Sequence, residues 1–428
     1  MPVALPTKNH GLSSSHNLLS NSLFALLYYS GLIFLVSWAD GIMAYVTPIY
    51  ITEHVSHPVL MGFVMAFSSI VGINCDLLFA KRLHGKRYSY FLFQTSFFAL
   101  LAGLCYVVFS PNVAILLLIV GLWGIYYELL QFSNFHFIHT FLSTSQHTLG
   151  WSTVMNAKYM ALLVAPLTAS YLMEDTEFPA FYFMITLHLI AIVFLFIFTT
   201  LTPKQSQPTL PAEKQRHNPK IQEFRIWQVL IKRLWPIYLF VLTLSVLDSV
   251  YWTVGALLSE HMADPYKGVL LTLNALPALF VSYFIQKAFV NYSKKRTAFL
   301  LALAGSCCLF FVGFVTHPVL LLSLIFISSC FTVSAWPLIL ATYEDYVARS
   351  DEYGNDLIGF ENSAISLSYI LGPIFASTTA SLVGEQQTFS IVALLLGSVS
   401  LLALAVTPRK IRLPQSEIIA LEKPLHMP

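Results

Sequence analysis

Twelve stretches of mostly apolar residues follow one another along this chain, each long enough to cross about 30 Å of hydrocarbon as a helix. Bounded by turn signals, they predict helices over 22–49, 59–80, 89–109, 113–137, 152–173, 178–201, 235–258, 267–288, 297–315, 319–342, 357–382 and 387–406. Loops as short as Ser110-Pro111-Asn112 and Thr316-His317-Pro318 make the flanking helices antiparallel neighbours. Composition closes the alternatives. Of 428 residues 57% are hydrophobic and only 10% charged, roughly sixty charges short of a soluble domain of this length. A water-soluble surface cannot be built from that stock, and a disordered chain would not carry so much apolar side chain. The expected class is an all-α, multi-pass membrane protein with the lipid bilayer as its solvent.

Charge placement predicts orientation. Of the 23 Lys and Arg, all but Lys158 and Lys267 fall in the tails or in every second loop. Both termini are therefore expected on the cytoplasmic side of a plasma or inner membrane. The polar, basic stretch 203–234 separates six apolar runs from six. The expected organisation is a cytoplasmic tail over 1–21, a six-helix bundle over 22–202, a cytoplasmic linker over 203–234, a second six-helix bundle over 235–407, and a tail over 408–428.

The two halves share landmarks at a nearly constant offset. Asp40 and Asp248 are 208 apart, and Pro111 and Pro318 are 207 apart. The run beginning Ala165-Pro166 matches the run beginning Gly372-Pro373, and Gly85-Lys86-Arg87 matches Lys294-Lys295-Arg296. Thr202-Pro203-Lys204 matches Thr407-Pro408-Arg409. Two related halves in the same orientation are the simplest account.

On this 6+6 repeat, the basic central loop and the basic clusters after helices 2 and 8, the chain resembles the major facilitator superfamily of secondary transporters. Gly72-x-x-x-Asp76 and Gly85-Lys86-Arg87 are similar to the two ends of the family's signature after helix 2, although nine residues here separate Asp76 from Gly85. The resemblance implies helices 1, 4, 7 and 10 around a central cavity, helices 2, 5, 8 and 11 framing it, and 3, 6, 9 and 12 against lipid. It also implies gating roles for Asp76, Arg82 and Arg87.

An ionisable side chain inside a bilayer costs a few kcal/mol and asks for a reason. Asp40 in helix 1 shares a face with Tyr29 and Thr47, and Asp248 in helix 7 with Ser245 and Trp252. A carboxyl that exchanges a proton at a cavity wall is the least machinery that couples transport to protons, so both are candidate coupling residues. The bland alternative is an acid held permanently between helices. Glu128 shares a stripe with Gln131, Phe135 and His139, beside Tyr127. Lys158 in helix 5 needs an anionic partner, with Glu128 or Asp76 expected, or contacts a charged substrate directly. The acids Glu344, Asp345 and Glu361, from the end of helix 10 toward helix 11, are expected to bridge to the basic cluster after helix 2 when the cytoplasmic side closes, the alternative being a solvated loop whose acids sit near helix N-termini. His136 and His139 lack a second cluster and are read as interfacial histidines, not metal ligands.

The five cysteines all sit in apolar runs without a CxxC, which leaves no disulfide framework or zinc ribbon. The first twenty residues lack the continuous apolar core of a signal peptide. No GxSxG, HExxH or phosphate-binding glycine loop occurs. An enzyme, an ATP-driven pump, a cofactor and, with a net charge of only +2, a nucleic-acid partner are not expected. The expected function is a monomeric secondary transporter of a small solute, working by alternating access and coupled to protons. The competing reading is a receptor-like sensor or scaffold on a transporter fold.

Overall fold

The computed structural model describes residues 12–82, 86–143, 146–201, 219–281, 293–347 and 354–408. Helices account for nearly all of them, and no strand occurs among the described residues. In chain order the helices are α1 (Leu12–His54), α2 (Pro58–Arg82), α3 (Tyr88–Val108), α4 (Val113–Phe141), α5 (His147–Leu172) and α6 (Phe178–Leu201). Then follow α7 (Pro219–Val250), α8 (Val269–Val281), α9 (Lys294–Phe310), α10 (Pro318–Val347), α11 (Gly354–Val383) and α12 (Glu385–Val406). Ten described spans are long and apolar enough to cross a membrane. The exceptions are α5, which carries Lys158, and α8, described only as far as Val281.

The short loops act as expected. Asn112 opens α4 by accepting a 3.1 Å hydrogen bond from the Ile115 amide, which satisfies one of the free N–H groups of the first turn. Two boundaries differ from the sequence reading. Helix α1 starts at Leu12 rather than near 22, and α7 at Pro219 rather than 235. The charges of 219–234 read as a loop, yet Leu230 and Leu234 sit four apart and are buried. Helical spacing of apolar residues outweighs the local charge. At its far end α7 passes through a π turn, Tyr251–Gly255, before a last α-helical turn at Ala256–Glu260.

Packing within α1–α6 is repeated by α7–α12. Helix α1 packs on α5 and α6, and α7 on α11 and α12. The pairs α3·α4, α3·α6 and α2·α4 have their counterparts in α9·α10, α9·α12 and α8·α10. The two sets meet along α2·α11 and α5·α8. Close approach there needs a residue without a side chain. A Cβ on Gly62 of α2 would lie 2.5 Å from the Ile374 Cα and 2.7 Å from the Pro373 carbonyl of α11. Likewise a Cβ on Gly124 of α4 would fall 2.2 Å from the Ser68 carbonyl of α2.

Large apolar side chains also cover outward faces, including Phe93, Phe97 and Leu104 on α3, Val193 and Phe196 on α6, Leu300 on α9, and Leu394 and Leu401 on α12. In water such a belt would be a severe aggregation liability; in hydrocarbon it is a matched surface.

Candidate functional site

A cavity of about 680 Å³ lies among α1, α2, α4, α5, α7, α8, α10 and α11; no residue of α3, α6, α9 or α12 lines it. It gathers Asp40, Tyr127, Glu128, Gln131, Lys158, Asp248 and Trp252, all of the substrate and coupling candidates from sequence except Tyr29.

Asp40 is nearly sealed, at 4% exposure, and accepts a 2.7 Å hydrogen bond from the Trp123 indole N–H. Asp248, half-buried across the cavity, accepts one from the Tyr369 hydroxyl. A carboxyl taken out of water needs such donors, because losing a buried partner costs a few kcal/mol. Lys158 also lines the cavity and lies within electrostatic reach of both acids. Sequence reasoning expected Glu128 or Asp76 opposite this ammonium. The reach of Lys158 takes in acids on α1 and α7, one from each half of the chain, while the side chain of Asp76 lies outside the described residues. Glu128 lies one helix away, its Oε1 facing Gly72 of α2.

The π turn shapes the opposite wall. It brings Tyr251, Trp252 and Thr253 to the cavity, and π turns are frequent at functional sites. Trp336 and Pro337 of α10 complete that side.

Tyr29 does not join this group. It is fully buried, bonded at 2.9 Å to both Ser133 and Asn134 and stacked 3.8 Å from Phe137, so it ties α1 to α4 as packing. The stripe assigned to Glu128 also turns away, with Phe135 exposed and His139 stacked on it. His136 stacks on Phe91 of α3.

Sequence reasoning missed Trp123, Tyr159, Asn274 and Tyr369, which all line the cavity. Two signals were present. Trp123, Tyr127 and Gln131 recur every fourth residue on one face of α4, and Tyr369 stands four residues before Pro373, as the lining residue Leu162 stands before Pro166.

The described gating candidates lie at the Gln131 end of the helices. Asp345 pairs with Lys294 of α9 at 2.9 Å, inside its own half of the chain rather than with the basic cluster after α2. Glu344 is exposed, within electrostatic reach of Glu361 on α11, and Arg87 is exposed. Asp76 and Arg82 lie on α2, but their side chains fall outside the described residues.

Beyond Ala44 the cavity is shut by contacts between the halves. Tyr45 of α1 donates a 2.9 Å hydrogen bond to Glu260, whose other oxygen lies 3.4 Å from Lys267. Thr272 of α8 donates to the Leu163 carbonyl of α5 at 3.0 Å. From there the lining runs toward Ile73, Gln131 and Leu340, at the other end of the helices.

Comparison with known proteins bears on this geometry. A family model described as Major Facilitator Superfamily matches residues 135–350 and 246–425. No curated protein sequence matches the chain. Among solved structures, a peptide transporter POT in complex with sulfate is similar with a TM-score of 0.69 and 12% identity, over 91% of this chain and 94% of that one. A mutant of that transporter, also with sulfate, is similar with a TM-score of 0.70 and 13% identity, over 90% and 94%. At such identities the likeness is one of fold.

Proposed function

The chain belongs to the major facilitator superfamily, and from that premise we propose that it is a secondary transporter moving a small solute by alternating access, with protons as the coupling ion. One observation carries the reading: an acid from each half, Asp40 and Asp248, lines with Lys158 a single cavity that helices of both halves enclose. Repeat-related carboxyls on opposite walls feel any rocking of one six-helix bundle against the other. The bundles are residues 22–202 and 235–407, and the repeated packing of α1–α6 by α7–α12 supports that division.

The state described is closed at the Tyr45–Glu260 end. The Lys and Arg distribution assigns that end to the outside and the Gln131 end, with both chain termini, to the cytoplasm. The site is therefore reached from inside. Transport requires the Tyr45–Glu260 end to part while the Gln131 end closes. Lys158 exchanges between the carboxyls as they gain and lose protons, so a charge is never left bare in the cavity. Both walls come from one chain, so a monomer suffices. The peptide transporter POT is a neighbour in fold, and a small peptide is one substrate to try.

The test is reconstitution into liposomes with a trapped pH dye. Solutes that raise the melting temperature of the purified protein are added outside. Proton movement that follows solute addition, and disappears in the D40N and D248N double variant, is the expected result. A solute that binds and crosses without any proton movement removes proton coupling; one that binds yet never crosses removes transport.

A further inference from the structure

Ionisable groups of one sign dominate the cavity wall. Among the described residues, and leaving aside Glu128, which has an interaction of its own, the wall presents the two carboxyls of Asp40 and Asp248 against the single ammonium of Lys158; no Arg or His contributes. That ammonium shares the cavity with Asp40 and Asp248 and lies within electrostatic reach of both. An incoming anion would have to compete for Lys158 with both and then sit beside two carboxyls. A cation meets the reverse situation, because it can replace Lys158 against either acid.

The remaining wall fits the same conclusion. Trp123, Tyr127, Tyr159, Trp252, Trp336 and Tyr369 surround the acids, and aromatic faces attract ammonium groups, most strongly where water is excluded. A bare metal ion gains little from such walls and cannot fill 680 Å³, which is the size that accommodates a drug-like organic molecule. Trp123 and Tyr369 each spend their polar hydrogen on Asp40 and Asp248, so their ring faces remain for apolar or cationic contact.

We infer that the cavity takes organic cations with an aromatic or apolar body, and that Lys158 acts as a tethered competitor occupying their place when the site is empty. This rests on the proposed transport site but concerns its ligand alone. It gives Lys158 a sign that other ligand classes reverse. For a cation, removing the lysine charge tightens binding; for an anion or a zwitterion whose carboxylate pairs with Lys158, it weakens binding.

The experiment is equilibrium titration of the purified full-length protein, read by quenching of its tryptophans. Three aromatic probes are compared: benzyltrimethylammonium, 3-phenylpropionate and a zwitterionic dipeptide of phenylalanine and alanine. The cation should bind saturably and the anion should not. K158Q should bind the cation at least about fivefold more tightly, as loss of a competing unit charge at close range implies, while K158R stays near wild type. D248N and, separately, D40N should weaken the cation about tenfold or more, the scale of one charge-assisted contact. Size-exclusion profiles and helical circular dichroism identify any variant that has not folded, and the other acid variant then carries the comparison.

Preference for the anion, a dipeptide that alone binds and is lost in K158Q, or cation binding that K158Q weakens would each overturn the inference. So would the absence of saturable cation binding in both wild type and K158Q. Because no step requires movement across a membrane, cations that bind but are never carried leave this inference standing and remove the transport reading instead. A carrier of anions does the opposite.

Discussion

Tyr45 on α1 donates a 2.9 Å hydrogen bond to Glu260 at the far end of α7, and through it the two halves of the chain hold one end of the cavity shut. Hydrogen bonds to charged groups contribute about 1.5–3 kcal/mol. Removing the hydroxyl with Y45F should therefore raise the population with that end parted by about tenfold or more. Hydrogen exchange should quicken across Ala256–Glu260 and the facing part of α1, with little change in α9 or α10. Unchanged exchange at both places would show that this bond does not hold the end closed.

Asp40 and Trp123 make a second sharp case. Trp123→Phe keeps the ring but removes the 2.7 Å donor, leaving a buried carboxyl short of a partner. The expected cost is about 1–3 kcal/mol of stability, and the D40N variant should soften it, because a neutral amide tolerates the lost donor better. A double-mutant cycle on melting temperature measures the coupling. Additive effects of the two substitutions would mean that the pair is not energetically linked.

Gly62 and Gly31 should respond oppositely to a side chain. A Cβ at Gly62 meets backbone atoms of α11 at 2.5 and 2.7 Å, whereas one at Gly31 meets nothing within 4 Å. Gly62→Val should destabilise by about 1–3 kcal/mol through overpacking, and Gly31→Ala should stabilise by about 0.5–1 kcal/mol through lower unfolded-state freedom. Paired melting curves decide this, and a G62V protein as stable as wild type would place α2 and α11 further apart than described.

Asp345 and Lys294 form an exposed pair, each side chain more than 40% accessible. Such pairs are worth about 0–1 kcal/mol. D345N should leave solute uptake in proteoliposomes within about twofold of wild type and shift stability by no more than about 1 kcal/mol. A collapse of uptake in D345N would show that Asp345 acts in the gate.

What the sequence determined is whatever depends on solvent and spacing alone. Twelve apolar runs, two halves at a constant offset, and cations confined to alternate loops follow from the cost of polar groups in hydrocarbon, which each segment meets independently of its neighbours. The repeat also pairs Asp40 with Asp248, and both prove to line the cavity. Rotation of each helix about its own axis is a different matter. These helices are apolar on nearly every face, so no amphipathic stripe announces which side turns inward. Tyr29 was read onto the face of Asp40 and lies instead in packing against α4; Trp123 and Tyr369 looked like ordinary apolar bulk and hold the two carboxyls. Lys158 shares a cavity with Asp40 of α1 and Asp248 of α7, a relation among three segments distant in sequence. Close packing fixed the tilt and rotation of every helix, and with them which charges meet.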